Sequence, residues 1–316
     1  MGKLLSISAV VMFLLPALTH AQWVKVVVPY APGGNIDVIG RIYAKKISEL
    51  LKESWIVENI SGGSGTIGTY SVARSAPDGK TLLFAADAHS TARLVVKNVP
   101  YDPLGDFVAI ARVAESPLVF IANPAQVHAR NLAELATDTK ADPKRYSFAI
   151  SALGSLPHLA AVAFCTRIDA DVLIVPYRGT GPAVSDVASG QVSMMLVSPL
   201  AVMQLVRVGR LRALAVAAPR RIAGAPDVPT AEEAGMADFL FANSYGFWGP
   251  KGLSKDLVAR INAAAREASE SPDLRQRLLD LGVTSIWETP EAFSRYASKE
   301  FERNRRILEK AGVKPE

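Results

Sequence analysis

Two short stretches of this chain hold residue types whose spacing could do chemistry. In the first, running from Pro29-Tyr30-Ala31-Pro32-Gly33-Gly34-Asn35-Ile36-Asp37 to Arg41, a glycine pair follows a β-branched run and precedes a helical pattern. Gly33 and Gly34 let the backbone turn with no side chains in the way, and the first amide N–H groups of the new helix have no partner within it. With the helix dipole they favour an anion, by roughly 0.3–1 kcal/mol when exposed and up to about 2 when partly buried. Such a turn suits a small carboxylate. The same residues also read as a plain tight connection in which Asn35 or Asp37 only caps the helix. Asp37 competes for the positive end, so it reads as a cap first and as a ligand contact second.

The second stretch, Ser151-Ala152-Leu153-Gly154-Ser155-Leu156-Pro157-His158, repeats the design of strand, small-residue turn and helix start. Ser155 and His158 have the types of a nucleophile and a base. No Gly-x-Ser-x-Gly elbow surrounds them and no third member presents itself, so an N-cap beside a ligand-facing or core histidine is the simpler reading. A secreted serine hydrolase is thereby disfavoured. The Gly33-Gly34 turn lacks the third glycine of a dinucleotide fingerprint and the Gly-Lys-Ser/Thr of a P-loop. His89 and His128 stand in unrelated stretches without metal-ligand spacing, and nothing calls for a cofactor. Cys165, the single cysteine, sits in an apolar stretch and reads as an inert buried thiol.

The elements that must position these turns alternate as strand and helix. Trp23 to Val28 is a β-branched strand that Pro29 ends, and Ile39, Ile42, Tyr43, Ile47, Leu50 and Leu51 recur at helical spacing behind the turn. Residues 55–58, 81–85, 118–122, 146–150, 172–177, 211–217 and 245–250 read as further strands. Loops at Ser61 to Gly68 and Arg178-Gly179-Thr180-Gly181 join them, the second opening another helix. Ala231-Glu232-Glu233-Ala234-Gly235 reads as a short helix with a glycine stop, and helices at 257–268 and from about Pro290 to Ala311 as packing elements. Such alternation makes an α/β protein with parallel sheet, whose ligands collect beyond the carboxyl ends of the strands.

Lys3 followed by an apolar stretch to Leu18 and small residues at Thr19 and Ala21 is the pattern of a secretory signal peptide, residues 1–21. No later stretch reaches the length of a transmembrane helix, and no cysteine at the cleavage site signals a lipid anchor. The expectation is a free periplasmic protein, a monomer. A hydrophobic content of 49% fits a compact fold, and the charge of +5 is spread without the basic, aromatic-interleaved runs of nucleic-acid binders. The chain divides by its patterns into one lobe of residues 22–122 and 219–316 and another of 123–218.

Many ordered motifs then match one family. They are Val28-Pro29-Tyr30 with Pro32-Gly33-Gly34, Asp37 and Arg41; Glu58-Asn59 with Gly62, Gly65 and Gly68; Ala76-Pro77-Asp78-Gly79; and Pro100-Tyr101-Asp102-Pro103. Ser151 with Gly154-Ser155 and His158, Val175-Pro176-Tyr177 with Gly179, and Pro226-Asp227-Val228-Pro229-Thr230 continue the match. The chain resembles the Bug or TctC family, the extracytoplasmic solute receptors of tripartite tricarboxylate transporters. The resemblance implies a two-lobed type II periplasmic-binding-protein fold closing on a small organic acid. The acid would be held by backbone amides and water of the Tyr30–Asp37 and Ser151–His158 loops, with Tyr30, His89, Tyr177, Thr180 and Ser198 selecting it. The implied site therefore comprises Tyr30, Ala31, Gly33, Gly34, Asn35, Asp37, His89, Ser151, Leu153, Gly154, Ser155, His158, Tyr177, Gly179, Thr180 and Ser198. The implied partner is a two-subunit membrane permease, with a sensor histidine kinase as the alternative. Ile60-Ser61 replaces the family's usual Arg-Pro and Ser193 its usual aspartate, which points to a specificity of its own.

Overall fold

The computed structural model describes residues 23–86 and 88–315, so the signal-peptide reading lies outside the described residues. Two sheets form. The first holds β1 (Trp23–Val28), β2 (Ser54–Asn59), β3 (Thr81–Ala86), β4 (Phe107–Pro117), β10 (Ala242–Pro250) and β11 (Thr284–Ser285), in the order β11-β4-β10-β3-β1-β2. The second holds β5 (Val119–Ala122), β6 (Ser147–Ile150), β7 (Leu173–Pro176), β8 (Met194–Val197) and β9 (Arg212–Val216), in the order β7-β6-β8-β5-β9. β1 runs parallel to both β2 and β3, and β6 parallel to both β7 and β8. Val26, Val27 and Val28 are fully buried, as expected of an unbroken β-branched run covered on both faces.

Ten helices cover the described parts of these sheets: α1 (Asn35–Leu51), α2 (Thr66–Ala73), α3 (Ala88–Val95), α4 (Leu132–Ala141), α5 (Leu156–Ile168), α6 (Thr180–Ser189), α7 (Met203–Arg207), α8 (Lys255–Glu270), α9 (Pro272–Asp280) and α10 (Pro290–Lys310). α1 buries Ile39, Ile42, Tyr43 and Ile47 against the first sheet. Gly40 lets it approach closely, since a Cβ there would stand 2.9 Å from the Phe84 ring. Ser155, Ser254 and Thr289 each cap a helix by accepting a first-turn N–H with the side chain. No helix among the described residues is long and apolar enough to cross a membrane.

The chain passes between the sheets twice, at Pro117–Leu118 and at Phe241–Ala242. The two passages lie side by side: Leu118 N–H donates to the Phe241 carbonyl at 2.8 Å, and Ala217 N–H to the Leu118 carbonyl at 2.8 Å. This corrects the lobe boundaries expected from sequence. Val119–Ala122 is an inner strand of the second sheet, because Phe120 packs edge-on against Phe148 and Phe164. Residues 219–241 also stay with the second lobe, whose core takes Ala231, Ala234, Met236, Phe239 and Phe241. The expected helix at 231–235 is a turn. Thr230 and Glu233 exchange side-chain-to-backbone hydrogen bonds and Gly235, at φ +93°, ends it before a helix can grow. α10 belongs to both lobes, with Phe293 and Ala297 in a first-lobe cluster and Leu308 in the second-lobe core.

Candidate functional site

Loops from both lobes enclose a cavity of about 1070 Å³. The first wall is the turn between β1 and α1. Gly33 adopts φ +80°, and its N–H donates to Asp37 Oδ2 at 2.8 Å. Asp37 Oδ1 accepts from Arg41 Nε and from Asn59 Nδ2, each at 2.9 Å. Asn59 Nδ2 also donates to the Tyr30 carbonyl at 3.0 Å, tying the turn to the end of β2. Burial works against the Asp37 carboxylate, yet the donors from Arg41, Gly33 and Asn59 outweigh it and hold its pKa below the usual carboxylate range. Asp37 therefore stays charged and spends its charge inside the loop. The N-cap is Gly34, which has no side chain to offer, so the amide end of α1 stays open towards the cavity.

The facing wall is the turn between β6 and α5. Ser155 Oγ donates to the Ala152 carbonyl at 2.6 Å and accepts the His158 N–H at 3.4 Å, as an N-cap does. His158 Nδ1 accepts the Gly154 N–H at 3.1 Å, and burial pushes this imidazole down to about 4, which leaves it neutral. The serine and the imidazole thus serve the turn separately and do not bond to each other as nucleophile and base. A third helix start joins them at α6. Tyr177 N–H donates to the Ile150 carbonyl and Gly179 N–H to the Ser151 carbonyl, each at 2.9 Å, so this turn is laid along the previous one. The Tyr177 hydroxyl donates to Asp186 at 2.6 Å, and burial together with that carboxylate pushes the phenol up to about 12.

Two further parts complete the enclosure. The Ser61–Gly65 segment leans on Tyr30, whose hydroxyl donates to the Ser64 carbonyl at 3.4 Å. Gly65, at φ +93°, is required there because a Cβ would stand 2.9 Å from that hydroxyl. At the floor, Asn243 Nδ2 donates to Ser198 Oγ at 3.3 Å and Ser198 Oγ lies 3.4 Å from the Tyr245 hydroxyl, a polar link between β10 of one lobe and the end of β8 of the other.

Of the residues expected from sequence, Tyr30, Ala31, Gly33, Gly34, Asn35, Asp37, Ser151, Ser155, Tyr177, Gly179, Thr180 and Ser198 line this cavity. Four do not. His89 is packed among Tyr101, Phe107 and Trp248, with ring centroids 6.2, 4.6 and 5.1 Å away, and burial pushes it down to about 4. Leu153 packs against the second-lobe core, Gly154 lies under Val95, and His158 is buried beneath the turn. Sequence reasoning missed Asn243 and Tyr245, which sit on the inner strand that enters the first lobe, and Arg178, which was read only as part of a junction. No cluster of three or more potential metal ligands occurs among the described residues. Cys165 is half-buried on α5, and burial pushes its thiol up to about 12.

Comparison with known proteins gives the family and the fold. The TctC family model, described as "Tripartite tricarboxylate transporter family receptor", matches residues 39–313. Protein BugT of Bordetella pertussis is 32% identical over 296 residues, which span 93% of this chain and 90% of BugT. The structure of the periplasmic binding protein BugD superimposes with a TM-score of 0.84 at 31% identity, covering 93% of this chain and 99% of BugD. R. palustris Rpa4515, solved with adipate, gives a TM-score of 0.87 at 28% identity, covering 93% and 98%. The protein has the two-lobed fold of periplasmic binding proteins, and it belongs to the TctC family, the receptors of tripartite tricarboxylate transporters.

Proposed function

We propose that this chain is a periplasmic receptor which captures a small organic carboxylate between its lobes and presents it to a two-subunit membrane permease. One observation carries the reading: the N-terminal ends of α1, α5 and α6 open onto the same cavity from two lobes. First-turn N–H groups lack partners inside their helix, and a carboxylate supplies acceptors for those still free. These are chiefly at α1 and at Thr180-Gly181 of α6, since at α5 Ser155 takes the His158 N–H and Pro157 has none. A wet site lined by amides holds such a group without a salt bridge. The adipate bound by Rpa4515 supports the ligand class. The hydroxyl of Ser155 and the ring of His158 are committed to the turn, which favours a receptor over a hydrolase. The leader of residues 1–21 would export the chain, and closure would be signalled to the permease by the bound form.

The test is a thermal-shift panel of mono-, di-, tri- and aromatic carboxylates against the ligand-stripped mature protein, with the matching amides as controls. At a ligand concentration 100 times the dissociation constant, mass action stabilises the fold by about 2.7 kcal/mol. A melt raised by an acid and not by its amide is the expected outcome. Equal response to acid and amide, or response to neither, would sink the proposal.

A further inference from the structure

α3 is shared by the two lobes. It follows β3 of the first sheet, and its His89 packs among Tyr101, Phe107 and Trp248, whose cluster lies in the first lobe. Further along the same helix, Val95 lies in the second-lobe core with Phe148 and Leu156. Between them Thr91, fully buried, donates its hydroxyl to the Gly154 carbonyl at 2.7 Å. Gly154 belongs to the turn between β6 and α5, so this hydrogen bond joins a helix that starts in the first lobe to a cavity wall of the second.

Thr91 and Val95 are one helical turn apart and together form a seat for Gly154. Gly154 has φ +72°, and a Cβ on it would run into Val95 Cγ2 and stand 3.7 Å from Thr91 Oγ1. Its N–H donates to His158 Nδ1 at 3.1 Å, and the next N–H, of Ser155, donates to the Ala152 carbonyl at 3.3 Å. A glycine in the left-handed region has no side chain to fix its torsions, so its conformation is set by the partners of its N–H and C=O. Around it, Ser151, Ala152 and Ser155 line the cavity.

We infer that Thr91 is a positioning residue for ligand binding: its hydroxyl, acting through the Gly154 carbonyl, holds the turn that presents Ser151, Ala152 and Ser155 to the cavity. Without the hydroxyl this carbonyl is buried and loses a donor, a cost the turn relieves by rotating away. The wall then has its binding shape in only a fraction of molecules, and the apparent affinity falls by that fraction. The inference rests on the carboxylate reading for the kind of ligand, and on the protein alone for the shape of the turn.

The experiment compares mature wild type, Thr91→Val and Thr91→Ser. Hydrogen exchange of the free proteins is read amide by amide by NMR. In Thr91→Val the Gly154 and Ser155 amides should exchange about tenfold faster than in wild type, while those of α1 and α8 stay unchanged. In Thr91→Ser, which keeps the hydroxyl, they should stay within about twofold of wild type. Unchanged exchange at Gly154 and Ser155 overturns the inference. So does acceleration across the whole second lobe, which would mark lost stability and not lost position. Calorimetric titration follows with adipate and with the panel acid that most raises the wild-type melt. The dissociation constant should rise about 5- to 10-fold in Thr91→Val and be restored in Thr91→Ser. A wild-type constant in Thr91→Val overturns the inference and leaves the carboxylate reading standing. If wild type binds no acid, the carboxylate reading fails, and the exchange pattern still supports or overturns the hold of Thr91 on the turn.

Discussion

Asp37 shows how one residue can be decisive for a binding turn without touching the ligand. Its two oxygens accept from Gly33, Arg41 and Asn59, and the hydrogen bond to Gly33 is what shapes the turn. In Asp37→Asn one oxygen becomes an NH2 donor, so whichever way the amide turns, either the Gly33 N–H or the Arg41 and Asn59 donors lose their acceptor. Unfolding measured in urea should show a loss of about 1–3 kcal/mol, the cost of an unsatisfied buried partner. His89 and His158 act at the same scale through pH. Both are buried and pushed down from 6.5 to about 4. Between those values the unfolded chain binds more protons than the folded one, so stability is complete above about pH 6.5 and falls as the pH drops towards 4. The melting temperature should decline across that window, and His89→Leu should flatten part of the decline. A melt independent of pH between 6.5 and 4 would contradict the buried neutral state of these rings.

At the scale of elements, the site is three strand-turn-helix junctions, and most of what they need is written locally. Gly33-Gly34 behind a β-branched run, Ser155 three residues before His158, and Gly179 before Thr180 are signals that a short window contains. The structure places all three turns on one cavity. His89 was misplaced because nothing within its own window says that Tyr101, Phe107 and Trp248 will close around it. Asn243 and Arg178 escaped notice for a related reason: an isolated polar residue on a strand or in a turn acquires meaning only from the opposite lobe. Gly34 offers a test at this scale. Its backbone has φ −76°, and an added Cβ would come no nearer than 3.7 Å to the Ala31 carbonyl. Gly34→Val should therefore fold, yet fill the mouth of the turn, and carboxylate affinity should drop about tenfold or more through the hydrogen bonds lost. Gly65→Ala should instead destabilise, because its φ of +93° and the Tyr30 hydroxyl both oppose a side chain.

For the whole molecule, the α/β alternation and the presence of two units were legible in the order of strands and turns. The boundary between them was not, because Leu118 to Ala122 is an apolar run that would suit either core. Only the ring contacts of Phe120 with Phe148 and Phe164 assign it. The paired passages at Leu118 and Phe241 are where closure would be expected to hinge, with the Ser198–Asn243 hydrogen bond at the floor of the cavity. Saturation with a bound acid should reduce the radius of gyration measured by small-angle scattering. A scattering curve unchanged by ligand would argue that the lobes do not close.

α10 is seated in both halves, by Phe293 and Ala297 in one and by Leu308 in the other. A stiff rod held at two points removes most of the ways in which two bodies can turn. What remains is rotation close to the rod's own axis and a small slip at one seat, of the kind that packed helices make in short steps. The jaws then have few settings, and a ligand must fit one of them. A helix that contributes nothing to the cavity wall would thus still limit how far its two sides can move apart.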